Sequence, residues 1–521
     1  MSLVKSVGTI GGLTAVSRVF GFARDMMLAR VLGAGLAADA FQLAFTLPNT
    51  FRRLFAEGAF SVAFVPMYSR ALHGQGDSGR SGEEEANAFA SDVLSVFVWV
   101  LASEFEKIPG KFELAVTLSR ITFPYLGFIS LMAMLAGVLN ARSRFGPGAA
   151  APVLLNIFLI AGLMTGAWLR GESHDDTIVS LALAVAVAFA GLAQFAYLAW
   201  ETRRAGVRLK ITAPRLTPEV RRLGKLIVPA TFGAGIYQIS QFVDTFFATS
   251  LPQGSLTLLK LADRLNQMPL GIVGIALGTA ILPMLARHIH ADDQKEAQRL
   301  QSQAFEIATL LTLPAAAALA VCAPAFCTAF FVGGKFTVAD GDIMASIVVA
   351  LVAGLPAYVI VKILNPGYFA REDTKTPVWT ALASLLFNIA VNLIVVERYG
   401  IVGLAGATAA SASLNCLLLY GILHYRGWFR FTWALAGKVA RQALATAAMA
   451  AALWWAMPLM AERYSGSVLD RVWSLTALVT LGMAVFFALA FVTGAINRQV
   501  VAQLTRRRPR RTSADDEILG A

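Results

Sequence analysis

RVFGFARDMMLARVLGAGLAADAFQLAFTLPNTFRRLFAE, residues 18–57, is the stretch on which the fold turns. It is mostly apolar, yet it carries Arg18, Arg24, Asp25, Arg30, Asp39, Arg52, Arg53 and Glu57. Apolar runs of membrane-spanning length continue through most of the chain, so these charges fall at membrane depth. A charge there costs about 2.5 kcal/mol or more, and it survives mainly where it faces a wet cavity or a partner. Five arginines against three carboxylates leave positive charge in excess. The stretch therefore predicts a helical bundle with a cationic cavity that receives an anionic group.

The rest of the chain agrees with a bundle in a membrane. Of its 521 residues 57% are hydrophobic and only 15% are charged, against roughly 25% charged in a soluble domain. Fourteen candidate spans cover 8–31, 37–68, 86–103, 113–140, 149–169, 177–200, 226–249, 256–286, 304–331, 341–366, 377–396, 401–424, 439–460 and 472–494. The even number puts both termini on one side. With a cytoplasmic N-terminus, 28 Lys/Arg lie in or beside the cytoplasmic connections and tails, and 8 at the other side. This is the positive-inside pattern. The net charge of +12 is then topological, and no nucleic acid partner is expected. The first apolar segment holds Arg18, Arg24 and Asp25, so it does not read as a cleavable signal peptide. Cys322, Cys327 and Cys416 lie in apolar segments and read as buried thiols. His288 and His290 are two apart and cannot share a helix face, which argues against a zinc site.

The two halves repeat. Residues 64–70 (FVPMYSR) match 281–287 (ILPMLAR) at an offset of 217, which also relates Asn49 to Asn266. Leu139-Asn140 and Pro152-Val153 match Leu364-Asn365 and Pro377-Val378 at an offset of 225. Paired spans keep their orientation when shifted by six, which implies two parallel six-helix lobes related by an axis along the membrane normal. The organisation is an N-lobe at 1–200, a basic cytoplasmic linker at 201–225, a C-lobe at 226–424, spans thirteen and fourteen within 425–494, and a cytoplasmic tail at 495–521. Repeats of this kind place a substrate site between lobes near mid-membrane and give alternating access by rocking. Span three is the weakest, because only about 18 residues, or about 27 Å of helix, are apolar there.

Helix spacing sorts the charges. Arg53 and Glu57 are four apart and can pair, which leaves Arg52 as the freer cation. Lys260 and Asp263 are three apart and can pair, leaving Arg264 available. Arg18 and Asp25 are seven apart and share a face. Arg24 lies about 120° from Arg18, so both line one cavity only if it is wide or the helix bends at Gly21. Asp39, near the external end of span two, can hold one arginine while no substrate is bound. Arg120 and Lys362 are further cations inside spans. Guanidinium forks bind phosphate oxygens in pairs and stay charged at any working pH; the alternative use is an ion-pair network that holds helices together. Asp244, Asn388, Asn392 and Thr408 offer oxygens from spans seven, eleven and twelve, as a monovalent cation needs, or as hydrogen bonding between helices needs.

Residues 12–25 (GLTAVSRVFGFARD), 47–60 (LPNTFRRLFAEGAF), 262–265 (ADRL) and 269–283 (PLGIVGIALGTAILP) resemble the MurJ (MviN) lipid II flippase family. That family sits in the multidrug/oligosaccharidyl-lipid/polysaccharide exporter superfamily. The resemblance implies movement of an undecaprenyl-diphosphate-linked disaccharide-pentapeptide, lipid II, from the inner to the outer leaflet of a bacterial cytoplasmic membrane. No bond is made or broken, no cofactor is needed, and membrane lipids and cell-wall synthesis proteins are candidate partners. It implies a diphosphate site at Arg18, Arg24, Arg52 and Arg264, with Asp39 an essential acidic position; Asn49, the repeat partner of Asn266, is taken into the same substrate-binding set. Spans thirteen and fourteen would form a groove for the polyprenyl tail. A sodium site, where members have one, maps to Asp244, Asn388, Asn392, the Leu404 carbonyl and Thr408. This chain departs at Asn392, where the ion-binding pattern has a carboxylate, so a proton gradient or the membrane potential is an alternative drive. The rival readings are a multidrug/cation antiporter of the same superfamily and a membrane enzyme acting on polyprenyl diphosphates.

Overall fold

The computed structural model describes residues 3–52, 113–209, 217–218, 220–222 and 239–495. Span three, the Arg53/Glu57 pair, the repeat string at 64–70, much of the linker at 201–225 and the tail beyond 495 lie outside the described residues.

Regular structure among the described residues is helical. The opening stretch folds as α1 (Leu3–Leu32) and α2 (Leu36–Arg52). Span four is α3 (Glu113–Thr122) continued by α4 (Pro124–Ala141). Spans five and six are α5 (Gly146–Arg170) and α6 (Asp176–Arg204). A helix over 239–249, α7, precedes span eight. Span eight is a broken helix: α8 (Ser255–Pro269), a π-helical turn (Leu270–Gly274) and α9 (Ile275–His290). Then come α10 (Gln294–Val321), α11 (Ala323–Phe330), α12 (Val338–Val352) and α13 (Leu355–Phe369). α14 (Lys375–Tyr425) leaves helical geometry at Gly400 (φ 56°, ψ −138°), which divides it into spans eleven and twelve. α15 (Trp433–Leu459), the short α16 (Ala461–Tyr464) and α17 (Val468–Val492) close the chain. Among the described residues 8 helical stretches are long and apolar enough to cross a membrane. The chain is an all-α, multi-pass membrane protein.

The start of span nine differs most from the hydropathy reading. Span nine was expected from residue 304, but its helix begins at Gln294. The Asp293 carboxylate caps it by accepting from the Glu296 amide at 3.1 Å, a contribution of about 1 kcal/mol. The added turns (QKEAQRLQSQ, residues 294–303) are mostly good helix formers, too polar for an apolar window to include.

The helices fall into two compact units. The first comprises Met1–Leu265, Phe330–Leu351 and Lys375–Ser411. Its core gathers Leu28, Phe41, Leu118, Tyr125, Leu159, Leu183 and Val187. In lipid, apolar side chains gain little by leaving solvent, so helices associate through close backbone approach. Gly162 and Gly166 of α5 supply it: a Cβ at Gly166 would sit 2.8 Å from the Val179 Cα on α6. At the C-terminal end of α1, the Lys335 amide donates to the Arg30 carbonyl at 2.8 Å, and Arg30 Nη2 donates to the Phe330 carbonyl at 3.0 Å. Asp176 joins Arg170 and Lys335 at 2.8 and 2.6 Å. Beside it the Thr177 hydroxyl and amide hold the exposed Asp175 carboxyl below its usual range.

The second unit comprises Asn266–Ala329, Val352–Thr374 and Ala412–Ala521. α10 and α15 are joined by polar contacts inside the apolar zone. The Thr309 hydroxyl donates to Gln442 Oε1 at 2.7 Å, and Lys438 pairs with Glu306 at 2.7 Å. The Arg371 and Arg426 guanidiniums lie 4.8 and 4.7 Å from the Trp428 ring centroid.

Candidate functional site

The charges of α1 and α8 meet around one carboxylate, Asp25, whose side chain is only 5% exposed. Arg24 curls back to its chain neighbour: Nη2 and Nε both donate to Asp25 Oδ1, at 2.6 and 3.0 Å. The third arm of that guanidinium, Nη1, donates to Asn156 Oδ1 of α5 at 3.0 Å. Asn156 in turn donates from Nδ2 to the carbonyl of Ser17, the residue immediately before Arg18, at 3.1 Å. Arg24 is therefore spent on protein partners and buried with them.

Arg264 comes to the same carboxylate from α8. Its Nε lies 2.8 Å from Asp25 Oδ2, while that oxygen has no aligned hydrogen bond. The contact is thus a Coulombic one that leaves the donors of the Arg264 fork unspent. The Arg264 side chain is 43% exposed. Arg18, also on α1, is exposed. The cluster carries two paired cations on a single carboxylate, with Arg18 nearby in sequence, and it remains net positive. An anion arriving beside Asp25 finds one guanidinium fixed and one free to turn its fork.

The other expected residues are placed elsewhere or lie beyond description. Asp39, expected to hold an arginine, instead holds the start of α8. Its Oδ2 accepts from the Gly254 amide at 2.8 Å, and its Oδ1 accepts from the Thr257 amide and hydroxyl at 2.8 and 2.6 Å. A helix N-terminus has unpaired amides and a positive dipole end, and a carboxylate satisfies both. Gly254 has φ +90°, and a Cβ there would come within 2.5 Å of the Ala34 carbonyl. Lys260 directs its ammonium to the Thr245 hydroxyl at 3.4 Å, and Asp263 is half-buried one turn on. Asn49 and Arg52 lie on α2, but their side chains are outside the described residues.

The expected cation ligands do gather. The Thr408 hydroxyl is 3.3 Å from Asp244 Oδ2 and 3.0 Å from the Leu404 carbonyl. Asn392 Nδ2 donates to Asn388 Oδ1 at 3.0 Å, and both asparagines are fully buried. Asp244 Oδ1 and Asn392 Oδ1 are buried acceptors without a hydrogen-bond partner. An orphaned carboxylate oxygen and an orphaned amide oxygen fit a monovalent cation in donor chemistry. The charge is that of a single acid, because Asn392 contributes none.

One member of the arginine site was not singled out by spacing. Asn156 is a lone amide in an otherwise apolar run (LLNIF, residues 154–158), and burial of a polar group without company is its only local signal. Asp25 was legible as an intramembrane charge, but its bridging of α1 to α8 is a long-range contact.

Residues 28–473 match the family model described as lipid II flippase MurJ. A probable lipid II flippase MurJ of Rhizobium meliloti (strain 1021) is 39% identical over 536 residues, covering 100% of this chain and 99% of the relative. One of Vibrio cholerae serotype O1 is 36% identical over 515 residues, covering 94% and 96%. Among solved structures, lipid II flippase MurJ in an inward closed conformation matches with a TM-score of 0.73 at 23% identity, over 93% of this chain and 98% of that one. An inward-facing multidrug resistance MATE family transporter of the MOP superfamily matches with a TM-score of 0.65 at 14% identity, over 79% and 95%. At these identities the two structures speak for the fold alone.

Proposed function

The chain belongs to the lipid II flippase MurJ family, and from that premise we propose that it carries lipid II from the inner to the outer leaflet of a bacterial cytoplasmic membrane by alternating access. It is a transporter, so its residues bind and release without chemistry. The observation that carries the site is the meeting of Arg24 and Arg264 on Asp25. In the resting cluster Asp25 keeps the cations together and neutralises one of them. The substrate diphosphate competes for the unaligned Arg264 fork and for the exposed Arg18, while the Arg24–Asp25–Asn156 unit stays fixed. Paired N–H donors meeting paired oxygens make strong, oriented bonds. Arg52 and Asn49 complete this reading from α2, and the tail groove at spans thirteen and fourteen keeps the polyprenyl chain in lipid. The antiporter rival shares the fold, but full-length identity to lipid II flippases favours the lipid substrate. Expression in a bacterium depleted of its own flippase tests the reading: restored growth is expected, and lysis despite normal amounts of protein in the membrane would refute it.

Ion coupling belongs to the same proposal. Asp244, Asn388, Asn392, the Leu404 carbonyl and Thr408 would hold a monovalent cation, which supplies a positive charge to offset Asp244. The neutral Asn392 weakens that site, since charge count sets much of the affinity of an oxygen-ligand site. Asn392→Asp is expected to tighten sodium binding, read as a larger sodium-dependent rise in melting temperature than the wild type shows. Equal responses in the two proteins would contradict the assignment.

A further inference from the structure

The diphosphate reading leaves Lys362 unused. It lies in α13, within the membrane-spanning stretch Val338–Phe369, about 10 Å of helix from the end at Phe369. Among the described residues its ammonium meets no acceptor or acid. It is exposed, and its exposure is peculiar to it. At helical spacing on the same face, Tyr358, Val359, Asn365 and Pro366 are buried or half-buried, and Leu355 is 0% exposed. A lipid-facing helix shows a continuous stripe of exposed apolar residues at those positions. α13 shows none there before Phe369. Lys362 alone is exposed on this face before Phe369, so its ammonium is not covered by the packing that seals its neighbours, and the same charge facing hydrocarbon would be costly.

Two further features mark this position. The π-helical turn Leu270–Gly274 lies beside Lys362, and a Cβ at Gly274 would sit 3.6 Å from the lysine Cγ. Single π turns are rare and recur at functional sites. One turn along α13, Asn365 Oδ1 is buried without a hydrogen-bond partner, so this face is not built for tight packing alone.

We propose that Lys362 is an anion subsite for a carboxylate of the substrate's peptide. The inference rests on the flippase reading and deepens it. A lipid-linked pentapeptide ends in a free carboxylate, and an ammonium is a compact point charge with three donors, suited to one such group. The guanidinium forks, with their paired donors, suit the diphosphate.

The test uses the full chain reconstituted in lipid vesicles with two substrates, polyprenyl-diphosphate disaccharide-pentapeptides whose peptide carboxylates are free or amidated. At subsaturating substrate the wild type is expected to move the free acid on the order of tenfold faster. Lys362→Met is expected to bring that ratio to about one, and Lys362→Arg to retain most of it. A wild-type ratio near one overturns the subsite alone, as does an unchanged ratio in Lys362→Met. A wild type that moves neither substrate overturns the flippase reading and the subsite with it. The first comparison uses the unaltered protein, so poor folding of a variant cannot mask the result.

Discussion

Arg264→Ala is expected to abolish growth support in a flippase-depleted bacterium while the amount of protein in the membrane stays normal. The two halves of this expectation have separate physical grounds. Folding tolerates the change because Asp25 keeps both Arg24 bonds, at 2.6 and 3.0 Å. The Arg264 side chain is 43% exposed, so its removal leaves no closed cavity. Function does not tolerate it, because the variant loses the guanidinium whose fork is unspent. Loss of the hydrogen bonds that this fork makes to a charged group costs about 1.5–3 kcal/mol, which is about 10-fold or more in affinity. Growth at the wild-type rate with Arg264→Ala at normal levels would contradict the assignment.

Asp25→Ala is expected to fail for the opposite reason, through the fold. Arg24 is 9% exposed at the side chain and Asp25 5%. Without the carboxylate, the Arg24 guanidinium is left with Asn156 alone among the contacts described above, and a buried charge without its counter-charge costs about 3–5 kcal/mol. That is a large share of the stability of an ordinary domain. The protein should reach the membrane in much reduced amount and unfold at a lower temperature in detergent. Arg24→Ala combined with Asp25→Ala should recover part of the loss, because no unpaired charge remains buried. A normal level and melting temperature for Asp25→Ala alone would show that water reaches Arg24.

The helical class, the positions of most spans and the presence of an intramembrane cationic cluster were legible in the sequence. Each follows from a local property: hydropathy over a bilayer-length window, or a charge where none is cheap. The partners within the cluster were less legible. Periodicity put Asp25 on the face of Arg18, seven residues away. In the fold Asp25 pairs instead with its neighbour Arg24, whose long side chain can fold back over one peptide unit, and with Arg264, far away in sequence. Asp39, near the external end of span two, read as a counter-charge for an arginine. Its use as a cap for α8 depends on the 249–254 connection coming alongside, and remote caps leave no mark on the capped sequence. The aqueous start of α10 escaped for the reverse reason, since propensity and a cap fix it where hydropathy is silent.

The account stands most directly on movement of lipid II itself. Membranes in which this chain is the only flippase should show lipid II newly accessible on the outer leaflet, and the signal should vanish when Arg264→Ala replaces the wild type at equal abundance. Lipid II confined to the inner leaflet with the wild type, or equally exposed with Arg264→Ala, would contradict the account.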